Sequence, residues 1–151
     1  MRKTIYQKIS EALLALTQGG EPVIRHIDLW NNQLQYAEEE QPFDTPAAFI
    51  EFQPIEWRNQ LHGVRDADVS IVLHIVTDSR VGRWSDTINT FDLLDSINAV
   101  LHGIGTVCDN GSGSVMNALT LTSSATDHNF GELQNNTETY TCHVTDMSGK
   151  R

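Results

Sequence analysis

Residues 66–103 read DADVSIVLHIVTDSRVGRWSDTINTFDLLDSINAVLHG, and this run decides the fold. Ala67, Val69, Ile71, Leu73 and Ile75 recur at every second position, with Asp68, Ser70 and His74 between them, so the spacing predicts a strand with one buried side. A basic turn, Asp78 to Arg83, follows. Ser85 is placed to cap a helix whose first turn carries Asp86, where the helix dipole favours an acid. Leu93, Leu94, Ile97, Val100 and Leu101 then fall on one helical face, with Trp84, Ile88 and Phe91 as a second apolar row. Gly103 and Gly105 end the helix.

Working outward, the chain before this run opens with a 3.6-residue pattern. Ile5, Ile9, Leu13 and Leu16 share a helical face, and Gly19-Gly20 closes that helix. An extended stretch over 23–34 mixes Val23, Ile27 and Leu29 with Arg25, Asp28 and Asn31. Glu38, Glu39 and Glu40, then Pro42 and Pro46, read as a solvated acidic loop carrying Phe43. A second strand is predicted over 47–53, where Ala48, Ile50 and Phe52 oppose Phe49, Glu51 and Gln53. Beyond the helix, 109–114 is turn chemistry. Strands are predicted at 116–123 and 137–145, joined by a polar, irregular connection over 124–136. The order is α-β-β-β-α-β-β. It predicts one two-layer α+β domain over 1–151, ending in a short polar tail, with a largely antiparallel sheet of about five strands and two main helices on one face.

Composition narrows the function. The 151 residues carry 20 acids against 10 bases, a formal charge of −10. Such a surface repels phosphate backbones, so direct nucleic-acid binding is disfavoured. The N-terminal apolar segment is broken by Gln7, Lys8, Ser10 and Glu11, unlike a secretory leader, and no apolar run is long enough to span a membrane. Cys108 and Cys142 lack metal-knuckle or redox spacing. Asp66-Ala67-Asp68 has the form of a cation-binding pair, but so do many acids at the start of a strand. The six histidines, His26, His62, His74, His102, His128 and His143, include no pair at helical ligand spacing, although His74 and His143 could meet across the polar sheet face. Gly111 to Ser114 lacks the lysine of a phosphate loop, no nucleophile elbow is present, and the sequon-like Asn110-Gly111-Ser112 and Asn135-Asn136-Thr137 matter only in a secreted protein. The residues thus indicate no cofactor and no metal. Trp57-Arg58 and Arg80-Val81-Gly82-Arg83-Trp84 instead pair arginine with tryptophan, the residue types enriched where proteins meet.

The layout resembles the tail-terminator (tail-completion) proteins of long-tailed bacteriophages and prophages. The features that carry the likeness are the N-terminal amphipathic helix, the acidic proline-broken loop, the Ala47-Ala48-Phe49-Ile50-Glu51-Phe52 strand, the Asp68 to Val76 strand leading into the Leu93-Leu94-Asp95 helix, and the closing strand pair. The resemblance implies a non-enzymatic hexameric ring that caps the tail tube, stops its growth and offers a surface to the head connector. It implies assembly in the bacterial cytoplasm and then residence in the virion. The family offers no motif residue for that contact; from the residue types, Glu38, Glu39, Glu40, Phe43, Trp57, Arg58, Arg80, Arg83 and Trp84 are expected at a subunit or partner interface, with the acidic loop facing the arginines of a neighbouring copy, since ring closure needs two different patches. A negative lumen would keep passing DNA from sticking. Two other readings stand beside it: a head-tail joining or neck protein, and a small enzyme or ligand-binding domain using His74, His143 and Asp68.

Overall fold

A computed structural model describes residues 1–31, 43–78, 84–104, 107–109, 114–130 and 133–149, with backbone only at 84–87, 107–109, 114 and 128–130. Two helices, α1 (Arg2–Leu14) and α2 (Trp84–Leu101), accompany ten strands: β1 (Thr17–Gln18), β2 (Glu21–Pro22), β3 (His26–Leu29), β4 (Ala47–Phe52), β5 (Arg58–Asn59), β6 (Arg65–Asp78), β7 (Val107–Asp109), β8 (Ser114–Met116), β9 (Thr120–Phe130) and β10 (Leu133–Asp146). β1 and β2 form a small separate hairpin, and the rest build an eight-stranded sheet in the order β3-β4-β6-β10-β8-β7, with β5 on β6 and β9 on β10.

The alternating run 67–75 lies in β6, which pairs antiparallel with β10 along the whole length of both, from Leu133 opposite Asp78 to Asp146 opposite Arg65. Ala67, Val69, Ile71, Leu73 and Ile75 are at most 1% exposed. They pack with Tyr140, Cys142 and Val144 of β10, with Ile5, Ile9 and Leu13 of α1, and with Leu94, Ile97 and Leu101 of α2. Both helices therefore cover one face of the sheet, as their apolar stripes require. Cys142 is buried there opposite Val69, and burial pushes its thiol up to about 11.

The structure corrects the expected layout in five places. The sheet has eight strands rather than about five, because short β5, β7 and β8 add to its margins. The 23–34 stretch contributes only β3, which runs parallel to β4. Helix α1 stops at Leu14, and Gly19 and Gly20 instead make the two-residue turn of the β1–β2 hairpin, where φ values of 63° and 85° suit glycine. Helix α2 already includes Trp84, so Ser85 lies inside its first turn rather than before it. The 124–136 connection is not irregular: most of it belongs to the long β9–β10 hairpin, with Thr126 opposite Asn136 and Ser124 opposite Glu138.

Candidate functional site

The sheet face turned away from the helices holds two separate clusters of polar and aromatic groups. Alternation along β6 and β10 places Asp66, Asp68 and His143 together at one end, because Asp68 is opposite His143 and Asp66 opposite Thr145. Arg58 enters from β5, opposite Asp66. Its guanidinium donates to Asp66 at 3.1 Å and lies 3.6 Å from Asp68. Gln60 also donates to Asp66, at 3.1 Å. The Arg58 and Gln60 hydrogen bonds hold the Asp66 carboxyl below its ordinary range, and His143 chiefly does so for Asp68. The two acids in turn raise Arg58 above its ordinary value, Asp66 foremost.

His143 faces a carboxylate with each nitrogen, Asp68 at 2.9 Å through Nδ1 and Asp66 at 3.3 Å through Nε2. Both ring nitrogens are thereby drawn into one polar network with Asp66, Asp68 and Arg58. At the same end but on the helix-facing side, beside Met1, Arg2 and Ile5, the Arg65 guanidinium binds Asp146 through Nη2 at 2.8 Å and through Nε at 2.9 Å. Its central carbon sits 4.6 Å from the centre of the Trp57 ring. Trp57 thus covers an ion pair that joins the first residue of β6 to the last of β10.

The other cluster lies toward the opposite end of the same face. Phe43, Ala47, Phe49, Val76 and Leu133 form a second small core, with Trp30 packed against it. His26 stacks on Phe43 with ring centres 6.0 Å apart. His74 lies flat against Trp30, at 3.8 Å between centres and 2° between planes. Asn135 Nδ2 lies 3.2 Å from His74 Nδ1, and His74 Nε2 lies 3.8 Å from Glu51. Burial lowers the His74 pKa, against the opposing pull of Glu51 and Asn135.

These placements sort the residues singled out in the sequence. His74 and His143 do not meet: His74 is opposite Thr137 and His143 opposite Asp68, six rungs along the same ladder. The enzyme reading that joined His74, His143 and Asp68 therefore loses its convergence. Phe43, expected to face a partner, is 6% exposed and packs edge-on against Phe49 inside the chain. Trp57 and Arg58 both have partners within the chain, on adjoining parts of the sheet. Glu38, Glu39, Glu40, Arg80 and Arg83 lie outside the described residues, as does the Trp84 side chain. Among the described residues, no group of three or more His, Cys, Asp or Glu is placed to hold a metal ion, and no helix is long and apolar enough to cross a membrane. Sequence reasoning missed the Trp30–Phe43–Phe49–His74 nest because its members come from distant segments, and only the register of β4 on β6 brings Phe49 opposite His74.

No family model matches the sequence, and no curated protein matches it. Among solved structures, the fold is similar to that of a chain in the virion of a native gene transfer agent particle. The two share 11% identity and a TM-score of 0.60, over 93% of this chain and 94% of that one. The likeness lies in the fold and runs nearly end to end in both chains.

Proposed function

We propose that this chain is a structural protein of a phage-like particle, and that within it the chain acts as a tail terminator: an oligomeric ring, most simply a hexamer, that caps the tail tube and presents a surface to the head connector. The observation that carries the reading is the near-complete fold likeness to a virion component. The arrangement of charged side chains supports it. Arg58 with Asp66 and Arg65 with Asp146 tie neighbouring strands together, a structural use of these charges. The sequence pattern adds the tail-terminator assignment, and the charge of −10 suits a ring through which DNA passes without adhering.

The test is to mix purified protein with polymerising tube protein and image the products by negative stain. A tail terminator gives six-fold rings, free or on tube ends, and shortens the tubes as its concentration rises. Rings that bind a connector while tube length stays unchanged would establish the neck-protein reading instead. A protein that remains monomeric and never decorates a tube end would refute both.

A further inference from the structure

Two surfaces at opposite margins of the molecule are incomplete, and each carries what the other lacks. The first is a groove of about 370 Å³ between α2 and the β9–β10 hairpin. Asn136 and Glu138 line it from the helix-facing side of β10, 1% and 4% exposed. Ser124 donates to the Glu138 carboxylate at 2.5 Å, and Thr126 donates to Asn136 Oδ1 at 2.7 Å. Asn136 Nδ2 is buried with no partner among the described residues. Turning the amide over would give Thr126 the nitrogen and leave the oxygen open, so either orientation has one unmet end. Asp95 and Phe91 complete the lining, and Phe91 is 44% exposed. Asp95 and Glu138 thus supply two acids, and no base among the described residues lines the groove to answer them.

The second surface lies on the far side of the sheet order, where β3 is the outermost strand and α1 runs beside it. Arg25 is exposed there in a shallow groove with Tyr6, Leu14 and Ile27. Leu14 is 50% exposed. Arg58 and Arg65 have carboxylate partners within the chain, whereas Arg25 has none among the described residues. A basic side chain flanked by apolar surface on one margin therefore matches an acidic, aromatic-rimmed groove on the other.

We propose that the groove between α2 and the β9–β10 hairpin receives the Arg25 margin of a second copy of this chain. The Arg25 guanidinium enters between Asp95 and Glu138 and over the Phe91 ring, and a main-chain carbonyl beside it accepts from Asn136. Because the two surfaces differ and lie on opposite margins, each copy uses one toward each neighbour. Association of this heterologous kind closes into a ring or runs on as a filament. The inference rests on the ring reading above and names the contact that closes it.

Charge reversal tests it on the full chain, with assembly followed by sedimentation velocity and electron microscopy. Arg25→Glu and Asp95→Arg alter exposed residues, so both variants keep the wild-type melting temperature. Each alone sets like charges against each other and weakens assembly about ten-fold or more. Mixed in equal amounts they regain most of it, because in an alternating ring every other contact is the wild-type pair and the rest set the introduced glutamate against the introduced arginine, with Glu138 the one like charge left beside them. If wild-type protein forms rings and both variants do so equally well, or if both fail and the mixture fails too, the contact is wrong while the ring stands. If Arg25→Glu abolishes binding to tube protein but not self-association, the occupant is the tube, and the second-copy proposal is overturned. Wild-type protein that stays monomeric at every concentration, with and without tube ends, removes both readings.

Discussion

The imidazole of His74 lies face to face with Trp30, and the indole that covers it also takes away the water its cation would need. Glu51 and Asn135 favour the charged ring and Phe49 sits across the ladder from it, yet burial prevails and the folded-state pKa falls below the ordinary value of 6.5. As pH falls, the unfolded chain takes up this proton first. The stability His74 contributes is therefore complete above its unfolded pKa and declines as pH drops from there toward the folded value. His74→Phe keeps the stack on Trp30 and should flatten this part of the profile. Urea unfolding at about pH 7.5 and about pH 5.5 checks it, and a variant as acid-sensitive as wild type across that window refutes it. At the other end of the face, Arg58→Gln should let the Asp66 carboxyl titrate at higher pH. The rise for Asp68 should be smaller, since His143 is the first cause of its shift and Arg58 is the first cause for Asp66. Carboxyl carbon chemical shifts followed by NMR through the acid range resolve the two.

Helix α2 shows two faces with separate duties. Ile97 and Leu101 are fully buried against the sheet, while Ile88 and Phe91 are 39% and 44% exposed. Ile97→Ala should cost about 2–5 kcal/mol of stability, the range for emptying a well-packed site. Phe91→Ala should cost the monomer about 1 kcal/mol or less while weakening self-association. Denaturant melts set beside sedimentation separate these effects, and equal losses of stability in the two variants would contradict the division. The buried face of α2 and the strand β6 were legible in the sequence because their apolar residues keep the period of one element. The β9–β10 hairpin was legible only in part: the strands predicted at 116–123 and 137–145 overlap β9 and β10, whereas its outer portion over 124–136 read as an irregular connection. Its helix-facing positions beyond Tyr140 are Glu138 and Asn136, polar yet buried, so the alternation that marks a half-buried strand disappears from the sequence exactly where the groove begins. The parallel pairing of β3 was hidden for another reason: four residues with mixed polarity carry no sign of which neighbour they join. Of the interface residues chosen from sequence, Arg58 pairs with Asp66 and Trp57 packs on Arg65 within the chain.

At the scale of the whole molecule, net charge sets what the protein is expected to repel. With a formal charge of −10, it should not retain duplex DNA at low salt. Gel-shift measurement showing retention that fades steeply as salt rises would contradict this. Copies of like net charge also repel, so the proposed contact between the Arg25 margin and the acidic groove should strengthen when salt screens that general repulsion, within about 10 Å at 0.1 M. The buried thiol of Cys142 offers a way to watch the molecule's interior from outside. It is 5% exposed, lies under the helices opposite Val69 and is held protonated at neutral pH. A maleimide can reach it only during moments when the helices lift from that face of the sheet or the strands part. In a Cys108→Ser background, the alkylation rate becomes a clock for that opening, and a rate near that of a free peptide thiol would mean the core between helices and sheet breathes far more than its burial implies.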